Sequence, residues 1–422
     1  MNLQGVKTLC AVLASFAATP GFAHSMDGAV DGPIHGMFQV HPGDSIQDTL
    51  DLAAAHPTVK IVRVHPGTYR PAAKGQAMIW FNARHDGITL EAEGEVVLTA
   101  ANPEIASDKA ASYPAIVNHV VYFGDGITRD TVLRGFRITG ANHFVTQSGE
   151  IEPDSELPEL EKGLFFYADG GAIKIFGRSY PTLLELEIHD NYASPCAAGV
   201  SIEHRGFNDE AVLIKDSIFR NNRAQITGSA VDLLQGSSAI IENSLFVGNI
   251  SNTGLDYISL VDSKYNQNHG SGAITVFRDS RIVIRNSTFT DNWNGVDDKG
   301  VANVYEKNIF WHNTNAGGPP GIASASELEA KNPNPLEFYR AVTQDHGTGG
   351  ISPSNRFELD IVDASKVEGC FINGKINDLR GTIDPERNVL NGPDPDFDEN
   401  YVPGNPAYSD VGYRPTAGEK VR

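Results

Sequence analysis

The chain has 422 residues and a formal net charge of −20, so it is long enough for one large domain and is strongly acidic. This charge disfavours nucleic acid and anionic membranes as partners, because their phosphate groups would be repelled. No proline-rich or serine-rich linker and no low-complexity segment divides the sequence, which predicts a single domain.

The N-terminus has the pattern of a secretory signal peptide. Lys7 precedes an apolar run over residues 8–18, and residues 21–23 offer a small-residue cleavage site. The run is too short to span a membrane. We therefore expect a signal peptide over residues 1–23, a mature domain over residues 24–422, and a secreted or periplasmic protein without membrane insertion.

An amphipathic helix is predicted next. Asp44 or Ser45 can cap its first turn, and its apolar positions Ile46, Leu50 and Ala54 share one face. A strand over residues 60–64 and a Pro-Gly turn follow. We expect the apolar face of this helix to pack against another part of the protein.

Five later segments share a seven-residue pattern, with an apolar residue in the fourth position and an asparagine in the seventh. They are ELEIHDN (185–191), DSIFRNN (216–222), NSLFVGN (243–249), NSTFTDN (286–292) and KNIFWHN (307–313). Successive asparagines are 21 to 43 residues apart. A fixed element that recurs at such intervals is typical of a solenoid, with one coil per repeat and variable insertions.

A second repeating strand precedes these motifs and alternates small or polar residues with β-branched ones. Its copies are GAIKIF (171–176), AGVSIE (198–203), SAVDLL (229–234) and GAITVF (272–277). Without helices between them, such strands cannot form βαβ units, so we expect coils that stack at about 4.8 Å. The helix is then predicted to cover the first coil, and the asparagines to form a hydrogen-bonded turn ladder that is scaffold.

Two cysteines remain after Cys10 leaves with the signal peptide. Cys196 and Cys370 lie several coils apart, on the order of 20 Å at the strand spacing. A disulfide needs Cα atoms within roughly 7 Å. We therefore predict two buried free thiols.

The Pro-Gly-Asp-Ser-Ile-Gln opening at residues 42–47, the alternating strands and the Asn-ending motifs resemble secreted proteins of the pectin lyase-like superfamily. The stretch over residues 394–415 is similar to the final coil of many of them. The resemblance implies an all-β fold, a single-stranded right-handed parallel β-helix with an N-terminal capping helix. It does not fix the function, since this fold hosts several reaction types.

Three insertions point to a groove. They lie near residues 143–168, 250–269 and 314–350, and all leave from the same turn of the coil. Because coils stack in register, these loops are expected to wall one edge of the helix, where binding residues concentrate. A polysaccharide or oligosaccharide is the partner that such a groove favours.

Three sets of residues compete for the chemistry. The first is Asp297, Asp298 and Lys299, since paired carboxylates can divide the acid and base roles of glycoside hydrolysis. Polygalacturonase-type relatives place an adjacent Asp pair before Gly-His-Gly, whereas here the comparable residues 268–270 precede the pair. The structural alternative is a polar turn at the end of a coil.

The second set is Lys174, His204, Arg205 and Asp232, which suits elimination across a uronic acid. That reaction needs a base at C5 and a cation that neutralises the carboxylate. Calcium held by carboxylates is the cofactor to consider, although the chain has no dense cluster like the calcium site of pectate lyases. The alternative is a set of charges on a solvated face.

The third set lies in the loop with Asp262, Lys264, Tyr265 and His269, whose mixture of aromatic and charged groups suits a sugar contact. The alternative for His269 is an ordinary surface residue. Trp293 and Trp311 either stack on sugar rings or cover apolar surface. A run of aspartates at 394, 396 and 398 has calcium-like spacing but lacks the EF-hand glycine.

Two functions follow. The first is an exported carbohydrate-active enzyme, a lyase or a glycoside hydrolase, that cleaves a polysaccharide in the groove. The second is a non-catalytic glycan-binding or surface-structural β-helix that uses the same groove. The insertions favour the first.

Overall fold

Three long parallel sheets wind around one apolar interior. The structure is a computed structural model, and it describes residues 32–146, 160, 166–167, 169–193, 196–224, 227–251, 272–313 and 357–416. Sheets A, B and C contain nine, ten and ten strands. Residues 1–31, which include the expected signal peptide, and most of the three expected insertions lie outside the described residues.

Sheet A is formed by the strands that begin each coil. These are Gly75–Phe81, Val117–Phe123, Ile173–Phe176, Val200–Glu203, Val231–Leu233, Ile274–Val276, Val296–Asp298, Leu359–Ile361 and Ile376–Asp378.

Sheet B has two strands that precede sheet A, and from Gly75 to Glu368 one of its strands follows each strand of sheet A. Its strands are Phe38–Val40, Ile61–Val64, Thr89–Ala92, Val132–Arg134, Thr182–Leu184, Val212–Lys215, Ser238–Glu242, Arg281–Arg285, Asn303–Glu306 and Ala364–Glu368.

Sheet C completes each coil. Its strands are Gly67–Tyr69, Val96–Thr99, Arg137–Thr139, Glu187–His189, Ile218–Arg220, Leu245–Val247, Thr288–Thr290, Ile309–Trp311, Phe371–Asn373 and Val389–Leu390. A short pair, Tyr192–Ala193 and Arg223–Ala224, and two 3-10 turns, Ala83–His85 and Pro406–Tyr408, complete the described elements.

Each strand pairs in parallel with its equivalent one coil further on. Ile173 lies beside Val200, and Val200 beside Val231, so residues 27 and 31 positions apart share a rung. Strands that pair in this way across three faces make a parallel β-helix, which confirms the predicted fold class. The alternation of apolar residues is the cause, since Ile173, Ile175, Val231 and Leu233 all point into the core.

The fourth residues of the repeated motif form a column inside the helix. Phe219, Phe246, Phe289 and Phe310 stack with ring centroids 4.5 to 4.9 Å apart and nearly parallel planes. This separation matches the distance between strands, so identical rings in successive coils stay in contact.

The seventh residues form the predicted asparagine ladder. The Nδ2 of each donates to the Oδ1 of the next at 2.8 to 3.1 Å, from Asn191 through Asn222, Asn249 and Asn292 to Asn313. All are buried, so they are scaffold as expected. The left-handed backbone lies one residue earlier, at positions such as Asp190, Asn221 and Asp291.

The helix Ile46–Ala55 lies where the sequence predicts it. Ser45 is the N-cap, and its Oγ accepts from the Asp48 N–H at 3.1 Å. Ile46, Leu50 and Ala53 are buried in the common core at the first coil. Cys196 and Cys370 are free and buried, which confirms the prediction of two thiols.

Candidate functional site

One column of outward-facing side chains runs along sheet A, between the residues that point into the core. We call it the sheet A ladder. From the first coil to the last it contains Trp80, Tyr122, Lys174, Ser201, Asp232, Thr275, Asp297, Asp360 and Asn377. All except the half-buried Asn377 are buried, although they lie on the outer face of the sheet.

The outer faces of sheets B and C are different. On sheet B, Glu306 pairs with Arg285 at 2.6 Å and with Lys366 at 2.5 Å. On sheet C, Glu187 pairs with Arg137 and Arg220 at 2.6 and 2.7 Å. Such partly exposed pairs tie neighbouring coils together and contribute about 0.2 to 1 kcal/mol each. Buried ionisable groups without such partners are typical of functional sites, which singles out sheet A.

Asp297 and Asp360 are register partners on adjacent strands of sheet A. Strands lie about 4.8 Å apart and both side chains leave the same face of the sheet, so the two carboxyl groups are neighbours on that face. Burial, and then the neighbouring Asp297, raises the pKa of Asp360 to about 7. Asn377 Nδ2 donates to Asp360 at 2.8 Å, and Lys299 Nζ donates to Asp297 at 3.1 Å.

This end of the ladder reaches solvent. Lys299 keeps 18% of its side chain exposed, and Asn377 is half-buried. The Oδ2 of Asp297 is buried and accepts no hydrogen bond from the described residues. Asp297, Lys299, Asp360 and Asn377 therefore form a carboxyl pair with one acceptor atom uncommitted, and we call them the Asp297 group.

Lys174 lies further up the same ladder. Its Nζ donates to Glu203 at 2.7 Å and to Ser201 at 3.1 Å, and the pair is buried. Glu203 also accepts from Arg205, at 3.2 Å. Lys174 and Asp232 are two rungs apart on one face, as the alternation predicts.

A second carboxyl cluster stands beside Lys174. Asp169, Cys196 and Thr227 occupy equivalent positions in the turns before successive sheet A strands, and Asp232 comes from the strand itself. Ligand atoms of Asp169, Cys196 and Asp232 lie within 4.8 Å of one another. We call these four residues the Asp169 group.

The Asp169 group is fully buried and incompletely bonded. Thr227 Oγ1 donates to Asp232 Oδ2 at 3.0 Å and the backbone N–H of Cys196 faces the Asp169 carboxyl, whereas Asp232 Oδ1 accepts no hydrogen bond from the described residues. Burial raises the pKa of Asp232 to about 8 and raises the pKa of Asp169 and Cys196 well above their usual values. Each group thus resists carrying its negative charge alone.

The donor set does not fit the calcium that the resemblance implies. Calcium prefers six to eight oxygen ligands, and a thiol is not among them. Within the described residues, one group of three or more His, Cys, Asp or Glu side chains lies at ligand spacing, and it consists of Asp169, Cys196 and Asp232. The described part of the chain therefore offers no calcium cage.

Asp298 does not share a face with Asp297. It pairs with Val276 and Ile361, which are core residues, and points into the β-helix. There it accepts from Tyr305, Asn303 and Gly300 at 2.7, 2.5 and 2.8 Å. Adjacent residues of a strand face opposite ways, so Asp297 and Asp298 cannot act on one bond.

His204 and Arg205 lie just after the strand Val200–Glu203. His204 is buried between Ser179, whose carbonyl accepts from Nε2 at 2.9 Å, and Ser238, whose N–H donates to Nδ1 at 3.2 Å. Burial lowers its pKa to about 4, so the ring is neutral and committed to the turn. Arg205 is the more exposed of the two and contacts Glu203.

The four loop residues of the third set cannot be placed relative to the site. Asp262, Lys264, Tyr265 and His269 lie outside the described residues. Trp293 is 6% exposed, so it has no open face for a sugar ring. Trp311 packs at the edge of the cluster formed by Phe371, Tyr408 and Val411, which fits the apolar-cover alternative.

The aspartate run at the C-terminal end forms turns. Asp394 accepts from the Asp396 N–H at 2.9 Å, and Asp398 accepts from Asn400 and Val402 at 2.8 and 2.9 Å. These carboxylates bind their own backbone.

Two site residues escaped the sequence analysis. Asp360 lies in a strand separated from its partner Asp297 by 63 residues of sequence distance, so no local pattern joins them. Asp169 precedes the strand segment that starts at Gly171 by the same offset as Cys196 precedes the segment that starts at Ala198. This shared offset is the sequence signal that places the two side chains side by side.

Comparison with known proteins adds little. No protein-family model matches the chain, and no curated protein matches it. Among solved structures, the chain is similar to pectate lyase Pel9A, with 13% identity over 65% of this chain and 75% of that one, and a TM-score of 0.30.

The sheets themselves define the class: the protein is a parallel β-helix. Within the described ranges, no helix combines the length and the apolar character that crossing a membrane requires.

Proposed function

We propose that the protein is an exported carbohydrate-active enzyme that hydrolyses glycosidic bonds of a polysaccharide at the Asp297 group. The observation that carries the proposal is the register pairing of Asp297 with Asp360 on the outer face of sheet A. Two carboxyl groups that flank one bond are the machinery of most glycoside hydrolases.

The environments of the two carboxyls suggest different roles. With its pKa raised to about 7, Asp360 holds a proton near neutral pH and is suited to protonate the leaving oxygen. Asp297 is paired with Lys299 and has one uncommitted oxygen, so it suits attack on the anomeric carbon. Water then hydrolyses the glycosyl ester while Asp360 takes back a proton.

The spacing favours one stereochemical outcome. Retaining enzymes keep the two carboxyls about 5 to 5.5 Å apart, whereas inverting enzymes need about 6.5 to 9.5 Å for a water. The strand spacing of about 4.8 Å, from which both side chains start, is nearer the first range. We therefore expect retention of the anomeric configuration.

Elimination at Lys174 is supported less well. A lyase base needs a free lone pair, whereas the Lys174 ammonium donates to Glu203 and Ser201. The candidate cation cluster beside it lacks the ligands that calcium needs. The Asp297 group also lies at the end of the ladder where Lys299 and Asn377 are partly exposed.

The test is hydrolysis of a panel of uronate-containing and neutral polysaccharides, measured as release of reducing ends. Asp360→Asn and Asp297→Asn are each expected to lower the rate about a thousandfold. Asp291→Asn is the matched control, because Asp291 is exposed and lies outside sheet A, and it should match the wild type. Proton NMR of the first product reports its anomeric configuration.

Other outcomes would contradict the proposal. Unsaturated products that absorb in the ultraviolet would show a lyase, and unchanged rates in both variants would remove the Asp297 group from the chemistry. Glycan binding without release of reducing ends would favour the non-catalytic alternative.

A further inference from the structure

We propose that Asp169, Cys196 and Asp232 form a binding site for a divalent cation of the zinc class. This site is distinct from the Asp297 group, and the inference does not depend on the proposed hydrolysis. Its residues come from three successive coils, so an ion there would tie those coils together.

The geometry fits one small ion. Zinc binds oxygen at about 2.0 to 2.2 Å and sulfur at about 2.3 Å, so two ligand atoms of a tetrahedral zinc ion lie about 3.3 to 3.7 Å apart. The ligand atoms of the three side chains lie within 4.8 Å of one another, so small side-chain rotations would bring them onto one ion. Thr227 fixes the Asp232 carboxyl by donating to its Oδ2, as a supporting residue around a metal ligand does.

The carboxyl oxygens of this cluster have few donors for their burial. Asp169 is fully buried with the Cys196 N–H facing its carboxyl, and Oδ1 of Asp232 accepts no hydrogen bond from any described residue. A buried acceptor without a donor costs about 1 to 3 kcal/mol. A cation held between these oxygens would satisfy them together.

The local charge points the same way. Asp169, Asp232 and Glu203 carry three carboxyl groups in one buried region, and Lys174 is the ammonium among them. That ammonium donates to Glu203 and Ser201, and its charge also opposes the effect of burial on the pKa values of Asp169 and Asp232. A doubly charged ion would balance the carboxylates of Asp169 and Asp232, and the Cys196 thiol would join as third ligand by releasing its proton to solvent.

The cysteine selects the metal. Two carboxylates and one thiolate suit zinc, which accepts mixed oxygen and sulfur ligands, and they do not suit magnesium or calcium. Cys370 provides an internal contrast, because its sulfur lies near Asn308 and the Glu368 carbonyl, with no carboxylate cluster.

The experiment uses the full chain freed of metal with a chelator. Zinc is titrated by calorimetry, and cobalt(II) is titrated as a spectroscopic probe whose near-ultraviolet band reports a thiolate ligand. We expect a single site per chain, a cobalt–thiolate band, and a melting temperature about 3 °C higher with zinc a hundredfold above its Kd.

Variants assign the site. Cys196→Ser should abolish the cobalt–thiolate band and weaken zinc binding at least about a hundredfold, while Cys370→Ser should keep both. Asp232→Asn should weaken zinc binding by about the same factor. Asp297→Asn should leave zinc binding unchanged, which separates this inference from the proposed hydrolysis.

The proposal fails if the wild-type chain shows neither zinc heat nor a cobalt band, a result that needs no variant to fold. It also fails if calcium raises the melting temperature and zinc does not, or if Cys370→Ser removes the band as completely as Cys196→Ser.

Discussion

Neighbouring positions of a strand place their carboxyl groups on opposite faces of the sheet, one toward the core and one toward the outer surface. Asp297 points outward beside Asp360, whereas Asp298 points inward to Tyr305 and Asn303. Burial raises the pKa of Asp298 to about 6 as well, but its three donors make it part of the scaffold. A raised pKa alone therefore does not separate a functional carboxyl group from a structural one. The acceptor atom without a hydrogen bond, which Asp297 has and Asp298 lacks, separates them.

At this scale, Asp360→Asn should stabilise the protein in alkaline solution. The folded pKa of Asp360 is about 7, above its usual value of 3.8, so its contribution to stability is present below pH 4 and is lost as the pH rises through 7. The neutral amide removes this loss. We expect the variant to gain roughly 4 kcal/mol over the wild type at pH 8 and little at pH 4.

Chemical denaturation at the two pH values measures the effect, with Asp291→Asn as the exposed control. An equal shift of Asp360→Asn at both pH values would contradict a raised pKa. If Asp360 is catalytic, the variant should be more stable and less active than the wild type, because a buried acid that serves catalysis lowers the stability of the fold.

At the scale of the element, the repeated motif acts through its ladders. Each asparagine in the column both accepts from the previous coil and donates to the next, so one substitution disturbs three coils. Asn249 also donates to the Phe219 carbonyl at 2.9 Å. The ladder therefore stabilises the turn that follows every strand of sheet C in this part of the chain.

Asn249→Asp should be strongly destabilising. The change keeps the shape but removes the donating amide and places a carboxylate opposite Asn292 Oδ1, at a position with no exposure. We expect a loss of about 3 kcal/mol in the free energy of unfolding. Asn286→Asp, the same change at an exposed position of a neighbouring motif, should be within about 0.5 kcal/mol of the wild type. Denaturation midpoints compare the two, and equal midpoints would mean that the ladder adds little.

The elements were predictable because their signals are local. The motif Asn-Ser-Thr-Phe-Thr-Asp-Asn over residues 286–292 contains both the stacking phenylalanine and the ladder asparagine, so it indicates a coil by itself. The pair of Asp297 and Asp360 has no local signal, because the register between strands depends on what is inserted between them. The inward direction of Asp298 was not predicted, although alternation along the strand implies it, since Asp298 stands two residues after Val296, a core position.

At the scale of the whole molecule, a parallel β-helix has two ends where the core and the strand edges would be open. The helix Ile46–Ala55 covers the first coil with Ile46, Leu50 and Ala53. An uncovered end is a template on which another chain can pair, which natural solenoids avoid with a cap. The cap therefore controls association as well as stability.

Leu50→Asp is expected to open that end. Leu50 has no exposure and belongs to the common core, so a charge there drives the helix off the first coil. Leu52→Asp is the matched control, because Leu52 lies on the same helix and is 43% exposed. Light scattering after gel filtration should show larger species for Leu50→Asp than for the wild type, while Leu52→Asp should elute as the wild type does. If both variants elute alike, the helix does not protect the end, and the first strand of sheet B must be shielded by its own short length.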